Sequence, residues 1–406
     1  MRLNRSLALF ACAYAVLYSA AAYADAITDW NARTSDLIAE AKMGTPPAVR
    51  LMALTQTAAH EALKVPAAKG DPDAAVAAAH RAVLSKVLPD MSTQIERLFD
   101  DALKGTVETP SRRPAIVAGE GAASAVLAER LKDGAGQAES YRPYAAAGAY
   151  VPTSPVAVPQ WPLRKPWLMR EASQFRPAPP PSLASDQWAR DFEEVKRMGA
   201  RQTAARGADE TVRAKFWEYS LPAIYFGVVR SVADQPGRDI ARNARLYAAV
   251  AQAMDDALIA VFDAKYHYGF WRPVTAIRNA DLDPNGATER DAGWHSLIEA
   301  PLHPEYPSGH SILASTVARV LDAEYSGRSL PVLSTTSPTA AGVRPTWPST
   351  DAFVKDVSLA RIHAGIHFRF STEVAEKMGA RVARLAIEKY IAPAQVSAVD
   401  LPLSSH

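Results

Sequence analysis

Between Ala241 and Phe262 the chain is apolar on nearly every side, a run long enough for about six helical turns. A helix that is hydrophobic all round must be enclosed by other elements, so this segment is expected to pass through the middle of the fold. Most of the remaining sequence also has helical spacing. From Ile27 to about Leu131 it is rich in alanine and lacks alternating runs of the strand type. Val49, Leu51, Met52, Leu54 and Ala58 form one apolar stripe after the Pro46–Pro47 start, and Ala75 to Leu88 and Thr93 to Leu103 form others. Trp188 to Met198 and Asp209 to Ser220 repeat the pattern. A closing helix is expected from about Thr372 to Tyr390, with Ser371 as its N-cap and Glu373 favourably placed in its first turn. Residues 324–352, rich in Ser, Pro and Thr, read as a surface loop. No internal repeat of fixed period is present.

One stretch interrupts this helical chain. Gly134 to about Leu183 carries Pro143, Pro152, Pro155, Pro159, Pro162 and Pro166, then the run Pro177 to Pro181. Proline at that density excludes helix, so a long connector along the surface is expected. Trp161 and Trp167 are expected to pin it as packing anchors. The expected architecture is all-α, with helical bundles of antiparallel helices joined by this Pro-rich connector. Its parts are a signal peptide at 1–24, an N-terminal helical region at 25–133, the connector at 134–183, a catalytic helical bundle at 184–393 and a tail at 394–406.

Arg2 and Arg5 precede an apolar run from Leu7 to Tyr18 and the small-x-small pattern Ala22-Tyr23-Ala24, an export signal with cleavage expected before Asp25. The apolar run falls short of a membrane span. Cleavage would remove two arginines and the only cysteine, leaving 43 basic against 43 acidic residues in 382. Such neutrality argues against a nucleic-acid partner, and a chain without cysteine has neither disulfides nor thiol chemistry. A periplasmic or secreted location is expected, with no integral membrane span after cleavage.

Three segments carry the chemistry. Pro304 to Ser311 reads P-E-Y-P-S-G-H-S and runs into Ile312, Leu313, Val317 and Val320 at helical spacing, so it opens a helix. The first N–H groups of a helix lack internal partners and carry the positive end of its dipole. Gly309 lets that backbone approach a ligand and Ser308 adds a donor, which makes an anion cradle with the His310 imidazole beside it. Lys265 and Arg272 lie seven apart, two helical turns, with Pro273 placing Arg272 at a helix end or turn. Two cations among Phe270 and Trp271 call for an anion between them. Arg361 and His367 are six apart, and Gly365 is expected to break the helix so that both turn inward. Arg369 is expected to be structural, His363 could equally lie at the surface, and His60 is expected to be a satisfied structural histidine. Three cations and a donor loop fit a multiply charged tetrahedral oxyanion. Two histidines then suit either nucleophile plus proton donor or metal ligand plus acid–base partner.

The series K-x6-R-P, P-S-G-H and R-x5-H, with 33 residues between Pro273 and Pro307 and 50 between His310 and Arg361, resembles the superfamily of vanadium-dependent haloperoxidases and type 2 phosphatidic acid phosphatases. The wording F-W-R-P-V-T-A-I-R and G-I-H-F-R-F is closer to its soluble haloperoxidase-like branch, and the likeness extends over most of the chain. The resemblance implies that Lys265, Arg272 and Arg361 bind the equatorial oxygens of vanadate, or of phosphate in the same site, and that Ser308 and the Gly309 amide hydrogen-bond them. It makes His367 the axial ligand to vanadium, or the nucleophile that takes a phosphoryl group. It makes His310 the acid–base group. Two positions depart from the phosphatase pattern, which has Ser before the Arg and Asp four after the second His. Here they are Ala360 and Ser371. Loss of that carboxylate would loosen His367 unless a carbonyl or another acid substitutes, which favours vanadate over phosphoryl transfer. His303, seven before His310, resembles the bromoperoxidase type.

The resulting expectation is a haloperoxidase using hydrogen peroxide and halide, bromide before chloride. The alternatives are a soluble non-specific acid phosphatase acting on phosphomonoesters, and an oxyanion-binding protein without catalysis. A homo-oligomer is compatible with either enzyme.

Overall fold

The computed structural model describes residues 25–391 apart from Thr106 and Gly327. The expected signal peptide and tail lie outside the described residues. Thirteen α-helices account for the fold among them: α1 (Ala26–Glu40), α2 (Thr45–Lys64), α3 (Pro72–Val87), α4 (Ser92–Lys104), α5 (Arg112–Glu129), α6 (Asp186–Met198), α7 (Ala208–Phe216), α8 (Ala223–Ala233), α9 (Ile240–Tyr268), α10 (Pro273–Arg278), α11 (Gly309–Tyr325), α12 (Thr350–His363) and α13 (Arg369–Ala386). A two-stranded antiparallel ladder, β1 (Leu333–Ser334) with β2 (Thr346–Trp347), sits in the loop before α12. No helix among the described residues is long and apolar enough to cross a membrane.

Helix α9 is the axis. It is buried almost continuously from Asn243 to Lys265 and packs against α2, α11 and α13. Asp239 caps its start by accepting from Arg242 N, and Gly269 ends it at φ +56°, a left-handed turn that glycine takes without strain. Helices α11 and α13 approach so closely that a side chain at Gly379 would meet the Ile312 carbonyl.

The connector is pinned to this axis by charge as well as by its tryptophans. Asp256, fully buried on α9, accepts from three successive connector N–H groups, Trp167 at 2.7 Å and Leu168 and Met169 at 2.8 Å. Trp167 donates its indole N–H to the adjacent Asp255 at 2.7 Å, and the guanidinium groups of Arg50 and Arg130 lie over its ring. Arg50 joins Asp255 to Asp133, so α2, α9 and the start of the connector share one buried ion network. Burying these acids is tolerable because every one has charged or N–H partners.

A second core lies at the other end, around Trp188 of α6. Phe192, Phe270, Trp271, Phe368 and Phe370 stand around its indole, with ring centroids 4.9–6.5 Å away.

Several boundaries differ from expectation. Helix α13 starts at Arg369, with Phe368 at its N-cap, so Ser371 is a buried first-turn residue and not the cap. Its serine hydroxyl is turned toward His367 instead of the helix N–H groups. The expected 209–220 helix stops at Phe216, and the loop before α12 ends at Ser349, whose hydroxyl caps Ala352 N.

Replacing Asp256 with Asn turns one acceptor oxygen into a donor facing connector N–H groups. The expected loss is about 2–4 kcal/mol, read as a lower urea midpoint, together with faster proteolysis between residues 134 and 183. An unchanged midpoint would show that the connector is held by its tryptophans alone.

Candidate functional site

The three motif segments meet at one end of α9, in a cavity of about 470 Å3 whose floor carries Lys265, Gly309, His310, Arg361 and His367. Lys265 and Arg272 do converge, but not along one helix. The turn at Gly269 ends α9 between them, and Arg272 becomes the N-cap of α10. Both then reach the same stretch of chain. Lys265 Nζ donates to the carbonyls of Pro304 (3.0 Å) and Glu305 (2.8 Å), while Arg272 Nε donates to that of His303 (2.9 Å). Arg272 Nη1 donates to Ile366 O at 2.9 Å and lies 3.5 Å from His367 Nε2. Arg361 leaves the last turn of α12 and donates to the Trp217 carbonyl, and its Nε has no partner.

Between Arg361 and His367 the chain must reverse. Gly365 makes that possible at φ +77°, where an added Cβ would lie 2.4 Å from the Gly199 carbonyl oxygen. The expected break at this glycine is therefore real, and it turns both side chains inward.

A helix does open at this segment, and Ser308 is its N-cap. Its Oγ accepts from Ser311 N (3.4 Å) and from Ser311 Oγ (3.0 Å), which leaves its own proton free to donate. The Gly309 N–H is the first of the helix, and nothing lies within 4 Å of where a Gly309 side chain would begin. A further hydroxyl, Ser358, joins Ser311 to the Glu376 carboxylate, so the cap is fixed from behind.

The partner of His367 is a residue that motif spacing passed over. Glu305, fully buried, places Oε1 2.6 Å from His367 Nδ1 and accepts the Phe368 N–H on the same atom at 3.1 Å. An oxygen already accepting from a backbone amide is an acceptor toward the imidazole as well. The shared proton thus sits on Nδ1, and the Nε2 lone pair faces Arg272 and the cavity. The carboxylate absent at Ser371 is supplied from the cradle loop instead, while Ser371 Oγ stands 3.5 Å from the same Nδ1. The sequence signal was an acid between two prolines inside the anion loop, where repulsion of the ligand would otherwise exclude one.

Charge is out of balance. Burial, then mutual repulsion, pushes Lys265 well below its ordinary value, and burial lowers Arg272 and Arg361 to about 10. Burial raises Glu305 to about 7 despite Lys265 and Arg272 beside it. Burial and the three cations hold His367 well below the ordinary imidazole value, and burial and Arg361 do the same to His310. Both histidines are therefore neutral, and His310 Nε2 has no partner. Three cations facing one carboxylate, a free helix N–H and an unused hydroxyl proton suit an oxyanion of two or more charges, so vanadate or phosphate fits the donor set. His303 also lines the cavity, with Nδ1 2.9 Å from Arg272 Nη2.

Other histidines and charges fall outside. Arg369 pairs with Glu194, His363 lies 3.9 Å from Glu210, and His60 packs edge-on against Tyr390 with burial lowering it to about 4. Among the described residues no group of three or more His, Cys, Asp or Glu is arranged to hold a metal ion directly. The donor set is one for an anion.

Comparison with known proteins agrees with this geometry. Residues 245–395, which hold every residue of the cradle, match the family model of the VCPO second helical-bundle domain. The vanadium chloroperoxidase of Curvularia inaequalis is 27% identical over a match covering 37% of this chain and 30% of that protein. The first bacterial vanadium-dependent iodoperoxidase superposes with a TM-score of 0.76 at 21% identity, over 90% of this chain and 95% of that one. Residues 245–395 thus resemble the second helical-bundle domain of vanadium chloroperoxidases, and most of the chain shares the fold of the bacterial iodoperoxidase. A holo-type bacterial vanadium-dependent chloroperoxidase has the same fold at a TM-score of 0.66 and 19% identity, covering 86% and 92% of the two chains. The curated chloroperoxidase thus extends well beyond the part matched here.

If Glu305 orients His367, Glu305→Ala should weaken vanadate binding by about 10–100-fold. Adding Ser371→Asp to that variant should recover most of the loss, because residue 371 already reaches Nδ1. Equilibrium dialysis with vanadate measures both. No recovery in the double variant would mean that Glu305 acts on the cradle's charge and not on the imidazole.

Proposed function

We propose that this chain is a vanadate-dependent haloperoxidase that oxidises bromide more readily than chloride with hydrogen peroxide. The observation that carries the reading is the pairing of a neutral His367, its Nε2 lone pair facing the cavity, with three buried cations that lack a full set of counter-charges. Lys265, Arg272 and Arg361 would hold the oxyanion together with Ser308 Oγ and the Gly309 N–H, and His367 Nε2 would bind vanadium. Vanadate, when bound, supplies a Lewis acid that makes hydrogen peroxide open to attack by halide.

The chain's own contribution is positional and acid–base. The cations neutralise the oxyanion and draw electron density from its oxygens. Glu305 holds the His367 ring through Nδ1. His310 is neutral and has a free Nε2, so it is placed to take a proton from an entering peroxide and return it to the departing oxygen. His303 lines the cavity, and its imidazole there is the support for bromide over chloride. Export to the periplasm or exterior is part of the proposal and rests on the N-terminal segment.

The acid phosphatase alternative would use the same cradle with His367 as nucleophile, so one experiment separates the readings. Protein reconstituted with vanadate should brominate a phenolic dye when peroxide and bromide are supplied. Brisk hydrolysis of p-nitrophenyl phosphate without vanadate, and no bromination, would replace the proposal with a phosphatase. Neither activity, with tight phosphate binding, would leave an oxyanion-binding protein. His367→Ala should lose vanadate while keeping its helical circular dichroism. His310→Ala should retain vanadate and lose about 100- to 10,000-fold in turnover.

A further inference from the structure

Behind the cradle, three hydroxyls and a carboxyl form one line of hydrogen bonds across three helices. Ser308 Oγ at the N-cap of α11 and Ser311 Oγ in its first turn are 3.0 Å apart. Ser311 Oγ is 3.0 Å from Ser358 Oγ of α12, and Ser358 Oγ in turn meets Oε1 of Glu376 on α13. The three serines are buried, whereas Glu376 is partly exposed. Among the described residues these hydroxyl oxygens have no other hydrogen-bond partner except the Ser311 N–H, which Ser308 accepts. The line begins at a donor of the cradle and ends at a group that can exchange a proton with solvent.

A hydroxyl has one proton, and Ser358 is placed to donate to both Ser311 and Glu376. The line can therefore be filled completely in only two ways. With Glu376 protonated, its O–H donates to Ser358, Ser358 to Ser311 and Ser311 to Ser308. The Ser308 proton is then left for a ligand, and this is the direction in which Ser311 donates to Ser308. With Glu376 ionised, the carboxylate accepts from Ser358, so Ser358 must accept from Ser311 and Ser311 from Ser308. The Ser308 proton is then spent inside the protein, and its oxygen presents only lone pairs to an oxyanion. Any mixed filling leaves two buried oxygens 3.0 Å apart with no proton between them, an unmade hydrogen bond.

The surroundings of Glu376 leave it able to hold that proton. Arg319 of α11 and Glu373 and Arg369 of α13 are the charges that bear on it. Arg319 is engaged by Asp322 and Asp351, and Arg369 by Glu194 of α6. Neither cation is therefore dedicated to Glu376. From α12 it meets only the Ser358 hydroxyl, and its backbone carbonyl accepts from Ser315 Oγ at 2.7 Å, which fixes this turn of α13 against α11. Burial raises its pKa above the ordinary carboxylate value, against the Ser358 hydrogen bond and the two arginines, and Glu373 adds to the rise.

We propose that Glu376 is a positioning residue that sets, through Ser358 and Ser311, whether Ser308 donates its proton to the bound oxyanion. The inference rests on the oxyanion cradle of the haloperoxidase reading, and not on the reaction that follows. Linkage gives its sign. The oxyanion favours the protonated carboxyl, so affinity is highest while Glu376 holds its proton and falls as pH rises through its raised value. Above that value, binding draws in a proton at a carboxyl that is separated from the ligand by the whole hydroxyl line.

Equilibrium dialysis with vanadate, on wild type and Glu376→Gln, tests this without turnover. A glutamine amide can donate to Ser358 at every pH. The two proteins should bind alike at about pH 5, and by about pH 8 the wild type should be about tenfold weaker, the scale of one hydrogen bond to a charged oxygen. Taking the ratio of the two affinities removes the titration of vanadate and of the cradle's own groups, which both proteins share. Ser358→Ala cuts the line and should follow the glutamine variant. Calorimetry in two buffers of different ionisation enthalpy should show the wild type taking up more protons on binding at neutral pH than either variant, by as much as about one. A ratio that does not change with pH, whether near one or uniformly shifted, overturns the proposal. Absence of vanadate binding by the wild type overturns the cradle as well. Dye bromination is scored separately: its absence, with the pH-dependent ratio intact, removes the haloperoxidase reading and keeps the role of Glu376.

Discussion

Three buried cations and a single buried carboxylate share one end of this molecule, and the rest of the fold is arranged to make that tolerable. Lys265, Arg272 and Arg361 are each 2% exposed or less. Like charges this close and this dry repel strongly, yet none is paired with an acid in the usual way. They are satisfied by backbone carbonyls: Pro304 and Glu305 for Lys265, His303 and Ile366 for Arg272, Trp217 for Arg361. Carbonyl dipoles hold a cation in place without cancelling it, so the site keeps a net positive field for an incoming oxyanion. The same bonds tie the 303–305 carbonyls to α9 and α10. The residues that would bind the ligand are thus also struts of the loop that presents it.

That arrangement needs a rigid backing, and the aromatic cluster around Trp188 provides it. Each motif segment sets a polar residue of the site beside an aromatic of the cluster: Trp271 next to Arg272, Tyr306 next to Glu305, Phe368 next to His367. Trp188 touches the first and third of these rings, and Tyr306 meets Phe370 at 5.9 Å. Segments distant in sequence are therefore brought into register by dispersion and ring-edge contacts on one side. The placement of charges follows on the other.

Much of this was legible in the chain itself. The all-α character followed from the apolar run that became α9, and the cradle followed from hydroxyl, glycine and histidine at the mouth of an apolar helix. The break between Arg361 and His367 was legible in Gly365. What was not legible depended on distance in sequence. Lys265 and Arg272 look like two turns of one helix, and only the left-handed turn at Gly269 shows that they meet by a different path. Ser371 has the composition of a cap, but Phe368 takes that place because its N–H is drawn to Glu305. The connector's proline content indicated a surface course, and that course carries Val158 to the cavity wall. Nothing local to Asp256 says that it will collect three connector N–H groups, since the partners lie almost ninety residues away.

The position of the orienting carboxylate has a mechanical consequence. A carboxylate four residues after His367 would belong to α13 and move with that helix. Glu305 instead belongs to the loop that supplies Ser308, the Gly309 N–H and His310, and Lys265 and Arg272 grip that loop by its carbonyls. The cradle's hydrogen-bond donors, the His310 imidazole and the group that sets the His367 tautomer are then one covalent unit of six residues, Glu305 to His310. A displacement of this unit relative to α13 would change the oxyanion hydrogen bonds and the His367 orientation together. The bond from Ser308 N to the Ser371 carbonyl at 3.2 Å opposes that displacement. Position 371, though it has no acid, thereby still fixes the distance between the cradle and the histidine it serves.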